Sequence, residues 1–221
     1  MLLSAEGLTF TSHADPGPHV VLDRVSLTLD AGEIVDVRGP SGAGKTTLLR
    51  ALARLLPDVT GALTLAGRLA TDYEPAEWRS RVTLLPQTAA MRPGTVRDNL
   101  LMPWSLKVRS VDSPPPDGVL DQALHDVGLA EIALGRDASR LSVGQAARVA
   151  LLRAVLTGPS VLLLDEPDAN LDDESTAQVS VMTERFAAGG GAVLRVRHQR
   201  GDVMAQRTLR LAGGHLTEVE S

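Results

Sequence analysis

The chain contains no cysteine, so no disulfide staples the fold, and the absence is compatible with a reducing compartment without selecting one. Aromatic residues are scarce, at 2% of the chain, which leaves few side chains able to stack on a base. No apolar run approaches the roughly 18 residues of a membrane span. The opening Met1-Leu2-Leu3-Ser4-Ala5-Glu6-Gly7 lacks the basic start and long apolar centre of a signal peptide, so any membrane link is expected to run through a partner. Long blocks of one charge sign are missing too. With a formal net charge of −5 there is no basic stripe of the kind a general nucleic-acid grip needs, and no nucleic-acid partner is expected. What remains is a chain of 221 residues, enough for one α/β domain with a smaller subdomain that buries roughly 70–75% of its unfolded surface.

The apolar patterning divides the chain in two ways. Leu2 to Phe10, Val20 to Asp30 and Ile34 to Arg38 read as strands, with Asp15-Pro16-Gly17-Pro18 and Ala31-Gly32 as turns, and an antiparallel layer is expected there. Thr46 to Leu56 reads as a helix stopped at Pro57. Further strands are expected at Ala62 to Leu65, Val82 to Leu85, Val161 to Leu164, Ala192 to Val196 and Thr208 to Leu211. Strands alternating with helices imply a mostly parallel sheet. Helical patterns at Val96 to Leu101, Val119 to Val127 and Gly144 to Thr157 predict an inserted helical subdomain over 88–158, with 1–87 and 159–221 forming the core.

Gly39-Pro40-Ser41-Gly42-Ala43-Gly44-Lys45-Thr46 fits the P-loop pattern and lies between an expected strand and helix, the context that gives the pattern meaning. Its glycines let backbone N–H groups close around phosphate oxygens, and the helix beginning near Thr46 and Thr47 adds its positive end. Lys45 is expected to reach the β- and γ-phosphates of a nucleotide, and Thr46 to ligate Mg²⁺. Val161 to Leu164 reads as a strand buried on both faces that delivers Asp165 to its carboxyl end, where open α/β sheets bind ligands. Asp165 is the natural carboxylate for Mg²⁺, and Glu166 follows in position to polarise an attacking water. Ser142 caps the helix that opens with Gly144 and Gln145, a second potential anion site.

Taken together, these motifs resemble those of the ATP-binding-cassette (ABC) ATPases over nearly the whole chain. The family signature LSGGQ corresponds to Leu141-Ser142-Val143-Gly144-Gln145, placed as required between the P-loop and the Asp165-Glu166 pair. The resemblance implies a P-loop ABC-type core and a homodimer in the ATP-bound state. Ser142, Gly144 and Gln145 would then meet the nucleotide held by the partner's P-loop. It implies that Gln87 is the glutamine that contacts Mg²⁺ or water. Asp172, in Ala169-Asn170-Leu171-Asp172, would help align the subunits while also fitting an ordinary helix cap. His198 is similar to the switch histidine that contacts the γ-phosphate, whereas His13, His19, His125 and His215 read as surface residues. Phe10 is either the aromatic that stacks on adenine or a core residue; Tyr73 and Trp78 carry no assigned chemistry.

The resemblance further implies an ATPase subunit on the cytoplasmic face of the inner (plasma) membrane, driving a separate permease. Met102 and Trp104, within Pro93 to Trp104, fit either contact with that permease or burial. The Asn99-Leu100…Pro103-Trp104 pattern is similar to iron-export ATPases of the family. The alternatives are a soluble ABC ATPase outside transport and a nucleotide-gated scaffold. Val143 in place of a signature glycine is the departure that matters most: its bulk must fit beside the dimer interface, and positive φ would be disfavoured there.

Overall fold

The computed structural model describes residues 1–13, 17–88, 90–109, 112–197 and 204–219. In chain order these form β1 (Leu3–Ser12), β2 (His19–Leu29), β3 (Ile34–Arg38), α1 (Lys45–Leu52), β4 (Thr60–Leu65), β5 (Arg68–Leu69), α2 (Pro75–Arg81), β6 (Val82–Leu85), α3 (Val96–Leu101), α4 (Asp117–Asp126), α5 (Val143–Val155), β7 (Val161–Asp165), α6 (Asp173–Ala188), β8 (Ala192–Val196), β9 (Arg207–Ala212) and β10 (His215–Val219). The first sheet has the order β2-β1-β4-β5 and is antiparallel throughout. The second has the order β10-β9-β3-β8-β7-β6. It is parallel except for the edge hairpin of β9 and β10.

Period-2 alternation on β3, β7 and β8 feeds two separate cores. Val35, Val37, Val161, Leu163, Ala192, Leu194 and Val196 point toward α1 and the antiparallel sheet. Ile34, Leu162, Leu164 and Val193 point toward the helices, where they join Leu100, Leu124, Val149, Leu152 and Val179. A strand with both faces buried must read as a continuous apolar run, and β7, Val-Leu-Leu-Leu-Asp, does so. Its acid comes last, at the carboxyl end.

Two elements differ from the sequence reading. The helix after the P-loop ends at Leu52 rather than Leu56, because Arg54 turns left-handed at φ 53°. Leu55 N–H then reaches back to Arg50 O at 2.9 Å and Arg54 N–H to Ala51 O at 3.0 Å, closing the helix in a Schellman motif. Leu55 is consequently exposed. Arg54 is held by its own guanidinium, which donates to Ala70 O at 2.5 Å and Tyr73 O at 3.1 Å.

The segment around Tyr73 and Trp78, unpatterned in sequence, folds as α2 with Pro75 in its first turn and Arg79 and Arg81 in its last. Trp78 is fully buried, donates from Nε1 to Leu52 O at 2.8 Å and meets the Tyr73 ring edge-on at 5.6 Å. It therefore ties α2 to the end of α1. Trp78→Ala should destabilise the chain by about 3–5 kcal/mol, since it opens a cavity and orphans a buried carbonyl. Chemical denaturation of the two proteins would measure the difference.

Candidate functional site

β3 leads directly into the phosphate loop. Gly44 caps α1 in a left-handed conformation, φ 94° and ψ 13°, and a Cβ there would lie 2.7 Å from Val21 Cγ1, so a side chain is excluded on two grounds. No side chain caps α1 and no acid occupies its first turn, which leaves its amino-terminal N–H groups for an anion. Lys45 is buried, and its ammonium donates to Gly39 O and Pro40 O, each at 2.9 Å. A buried ammonium needs acceptors, and here the loop's own carbonyls serve.

Asp165 and Glu166 stand at the end of β7, beside that loop. The Asp165 carboxyl is pushed above its ordinary value of 3.8, first by burial and also by neighbouring Glu166. A hydrogen bond from the Thr46 side chain and the charges of Arg50 and Lys45 oppose the rise. Glu166 takes a left-handed backbone, φ 49°, immediately before Pro167. Its Oε2 accepts from Gln87 Nε2 at 2.8 Å. Gln87 is thus brought to Glu166 from the end of β6, and its amide oxygen is left as an acceptor.

The signature segment builds the start of α5. Ser142 Oγ accepts from Gln145 N–H at 3.2 Å while Gln145 Oε1 accepts from Ser142 N–H at 3.0 Å, a complete capping box. Gln145 Nε2 also donates to Glu131 Oε1 at 3.3 Å, so its amide is engaged within its own chain. A Cβ on Gly144 would collide with the Ser175 hydroxyl and lie 2.9 Å from Ser175 Cβ. The glycine therefore allows α5 and α6 to approach. Val143 is the first residue of α5, and it is absent from the left-handed residues. The backbone conflict anticipated for it does not arise, and with 65% of its surface exposed its side chain faces outward.

Asp172 caps α6 by accepting from Ser175 N–H at 2.7 Å. Hydrogen bonds from the Ser175 backbone and side chain lower its carboxyl below the usual range. Phe10 sits in β1 opposite Leu22, partly buried against the core beneath the antiparallel sheet. His198 lies outside the described residues. His13, His19, His125 and His215 are exposed, as surface residues should be.

One pair was missed by sequence reasoning. Arg197, at the exit of β8, is 6% exposed and donates from Nε to Asp168 Oδ2 at 3.0 Å, with Nη2 on the same oxygen. The only hint in the sequence is opposite charge directly before His198 and two residues after Glu166. Their proximity follows from the parallel register that sets Asp165 opposite Val196.

Comparison with known proteins identifies the family. Residues 22–169 match the family model described as ABC transporter. The chain is 36% identical over 218 residues to a probable anion import ATP-binding protein of Haloferax volcanii, covering 91% of this chain and 75% of that protein. It is 34% identical over 188 residues to the probable iron export ATP-binding protein FetA of Escherichia coli K12, covering 85% and 82% respectively. A dimeric bacterial ABC transporter cassette superposes with a TM-score of 0.81 over 100% of both chains at 22% identity, a likeness of fold. This chain belongs to the ABC transporter family, as one of its ATP-binding subunits.

Proposed function

We propose that the chain hydrolyses ATP to power a separate membrane permease, with two copies closing head to tail over two nucleotides. The observation that carries this reading is the convergence of the Lys45 loop, Thr46–Asp165 and Gln87–Glu166 at the carboxyl end of the parallel sheet. Residues 1–87 and 159–221 act as the nucleotide-binding core and 88–158 as the helical subdomain of one domain. Gly39 to Thr47 would hold the phosphates, with Lys45 exchanging its loop carbonyls for the β- and γ-phosphate oxygens. Among the described residues no cluster of three His, Cys, Asp or Glu converges on a metal. The oxygen donors of Thr46, Asp165 and Gln87 nevertheless fit Mg²⁺, which takes few protein ligands beside phosphate and water. When bound, Mg²⁺ would neutralise phosphate charge. Glu166, oriented by Gln87, would draw a proton from water as its oxygen bonds to the γ-phosphorus and ADP departs with the bridging electron pair. The role assigned to His198 is sensing of the γ-phosphate, and that of Phe10 is stacking on adenine.

Ser142 and Gly144 at the capped end of α5 are suited to the partner's nucleotide, and exposed Val143 would lie at that contact. Asp172, set beside Ser175 near the same helix end, is suited to aligning the two copies. For the permease, the groove of about 520 Å³ between α2, β6 and the 102–109 segment is the supported docking site. Leu84, Leu85, Met102 and Pro103 supply an apolar floor and Leu106 an exposed lip, with Arg79, Lys107, Arg109 and Arg153 as cations and no acid among the lining residues. That combination suits an amphipathic cytoplasmic segment bearing a carboxylate. Met102 lines this groove, whereas Trp104 packs near the Arg109 guanidinium at 5.8 Å. Among described residues no helix is long and apolar enough to cross a membrane. An iron-exporting partner is supported by the Escherichia coli relative and by the Asn99-Leu100…Pro103-Trp104 pattern; the anion-importing relative is as similar overall.

Glu166→Gln should reduce steady ATP hydrolysis by about a hundredfold or more while allowing an ATP-trapped dimer, measured by phosphate release and gel filtration. Hydrolysis at the parent rate would remove Glu166 from the mechanism. Because Asp165 is raised, its burial favours the protonated fold. Stability of the nucleotide-free chain should therefore fall as pH rises from the ordinary Asp value through the raised one, and Asp165→Asn should raise the melting temperature at neutral pH while abolishing turnover. Leu106→Asp, on the exposed lip of the groove, should leave the isolated chain's ATPase intact and lower copurification with a polytopic membrane protein several-fold.

A further inference from the structure

The turn that follows Glu166 is held in an unusual shape. Glu166 and Asn170 are both left-handed without being glycine, at φ 49° and 62°, and Glu166 also precedes proline, which narrows its backbone freedom further. Such conformations persist when the surroundings over-determine them. Three backbone hydrogen bonds contribute: Glu166 N–H to Val196 O at 3.1 Å, Ala169 N–H to Glu166 O at 3.0 Å and Leu171 N–H to Asp168 O at 3.3 Å. The side chains add Arg197, whose guanidinium grips Asp168 from the end of β8, while its backbone N–H bonds Val37 O at 3.2 Å in the strand that feeds the P-loop. Glu166, Asp168, Asn170 and Arg197 line one polar cavity of about 460 Å³.

A charge pair so largely buried is a poor source of stability, because the desolvation of both ions offsets their attraction. What it supplies is geometry. Arg197 closes on Asp168 Oδ2 through both Nε and Nη2, which ties the Asp168 side chain to the end of β8, and Asp168 is two residues from Glu166. We propose that Asp168 and Arg197 are positioning residues for hydrolysis. Their ion pair pins the left-handed turn to the end of β8, so that the Glu166 carboxylate is presented to water at the γ-phosphate, and its loss slows bond cleavage without weakening nucleotide binding. The inference rests on the reading of Glu166 as the group that activates water.

The test uses the full chain with Asp168→Asn, Asp168→Glu, Arg197→Lys and Glu166→Gln, each alone, and Asp168→Asn combined with Glu166→Gln. Asp168→Asn and Arg197→Lys should lower kcat by about tenfold or more with KM for MgATP within about twofold, and Asp168→Glu should recover most of the rate. The double variant should still form the ATP-trapped dimer, since the pair is not needed for binding or closure. An unchanged kcat in Asp168→Asn and Arg197→Lys would overturn the proposal, as would a rise in KM that accounts for the loss or a double variant that no longer traps. Failure of Asp168→Asn to fold would assign the pair to stability and overturn it as well. If Glu166→Gln itself turns over at the parent rate, the reading of Glu166 falls; if it is inactive while Asp168→Asn is normal, only the positioning role falls.

Discussion

The parallel pairing of β3 with β8 and of β8 with β7 is the constraint on which the remaining features depend. Each of these strands is buried on both faces, so a slip of one residue would exchange the contents of two cores. Register is consequently well defined, and with it the level at which each strand ends. The P-loop leaves β3, Asp165 closes β7 and Arg197 exits β8 at one edge of the sheet. Local loop chemistry then acts on groups already brought within reach of one another.

Several features at that edge are unfavourable by themselves. Asp165 is desolvated enough to hold its proton more tightly, Lys45 occupies carbonyls of its own loop, and Glu166 and Asn170 adopt backbones that L-residues avoid. The two cores and the sheet's hydrogen bonding compensate for them. A site built for a tetra-anionic nucleotide shows this pattern before the ligand arrives, because its donors and cations are arranged for charge that is not yet there. The Asp36–Arg195 pair, at 2.8 Å in the middle of β3 and β8, is a further buried charge pair, and it crosses the same two strands.

The signature segment shows local and global demands meeting in the same residues. Ser142 and Gln145 form a capping box of ordinary type, and Gly144 is required by the approach of Ser175. These are reasons internal to one chain, and they leave the outward face of Val143 exposed at the start of α5. A helix start that is already capped and closely packed is a rigid platform of the kind that the proposed two-copy site would need.

Much of the architecture was legible from patterning. The apolar run Val161 to Leu164 with its terminal acid, the glycine spacing before Lys45 and the placement of Ser142 ahead of an amphipathic stretch are local properties, so they survive without knowledge of neighbours. Other features were invisible because they depend on contacts between distant residues. Trp78 sits in a stretch without clear periodicity, and α2 becomes evident only when that ring finds Leu52 O. Arg54 ends α1 early because Ala70 and Tyr73 offer carbonyls to its side chain. By itself the sequence determined the strand-loop-helix units, the phosphate loop and the acids at a strand's end, since each is set by short-range periodicity and turn chemistry. Only the tertiary structure decided that Gln87 meets Glu166 and Arg197 meets Asp168, because those meetings depend on strand order and register, which bring residues 79 and 29 positions apart to one edge.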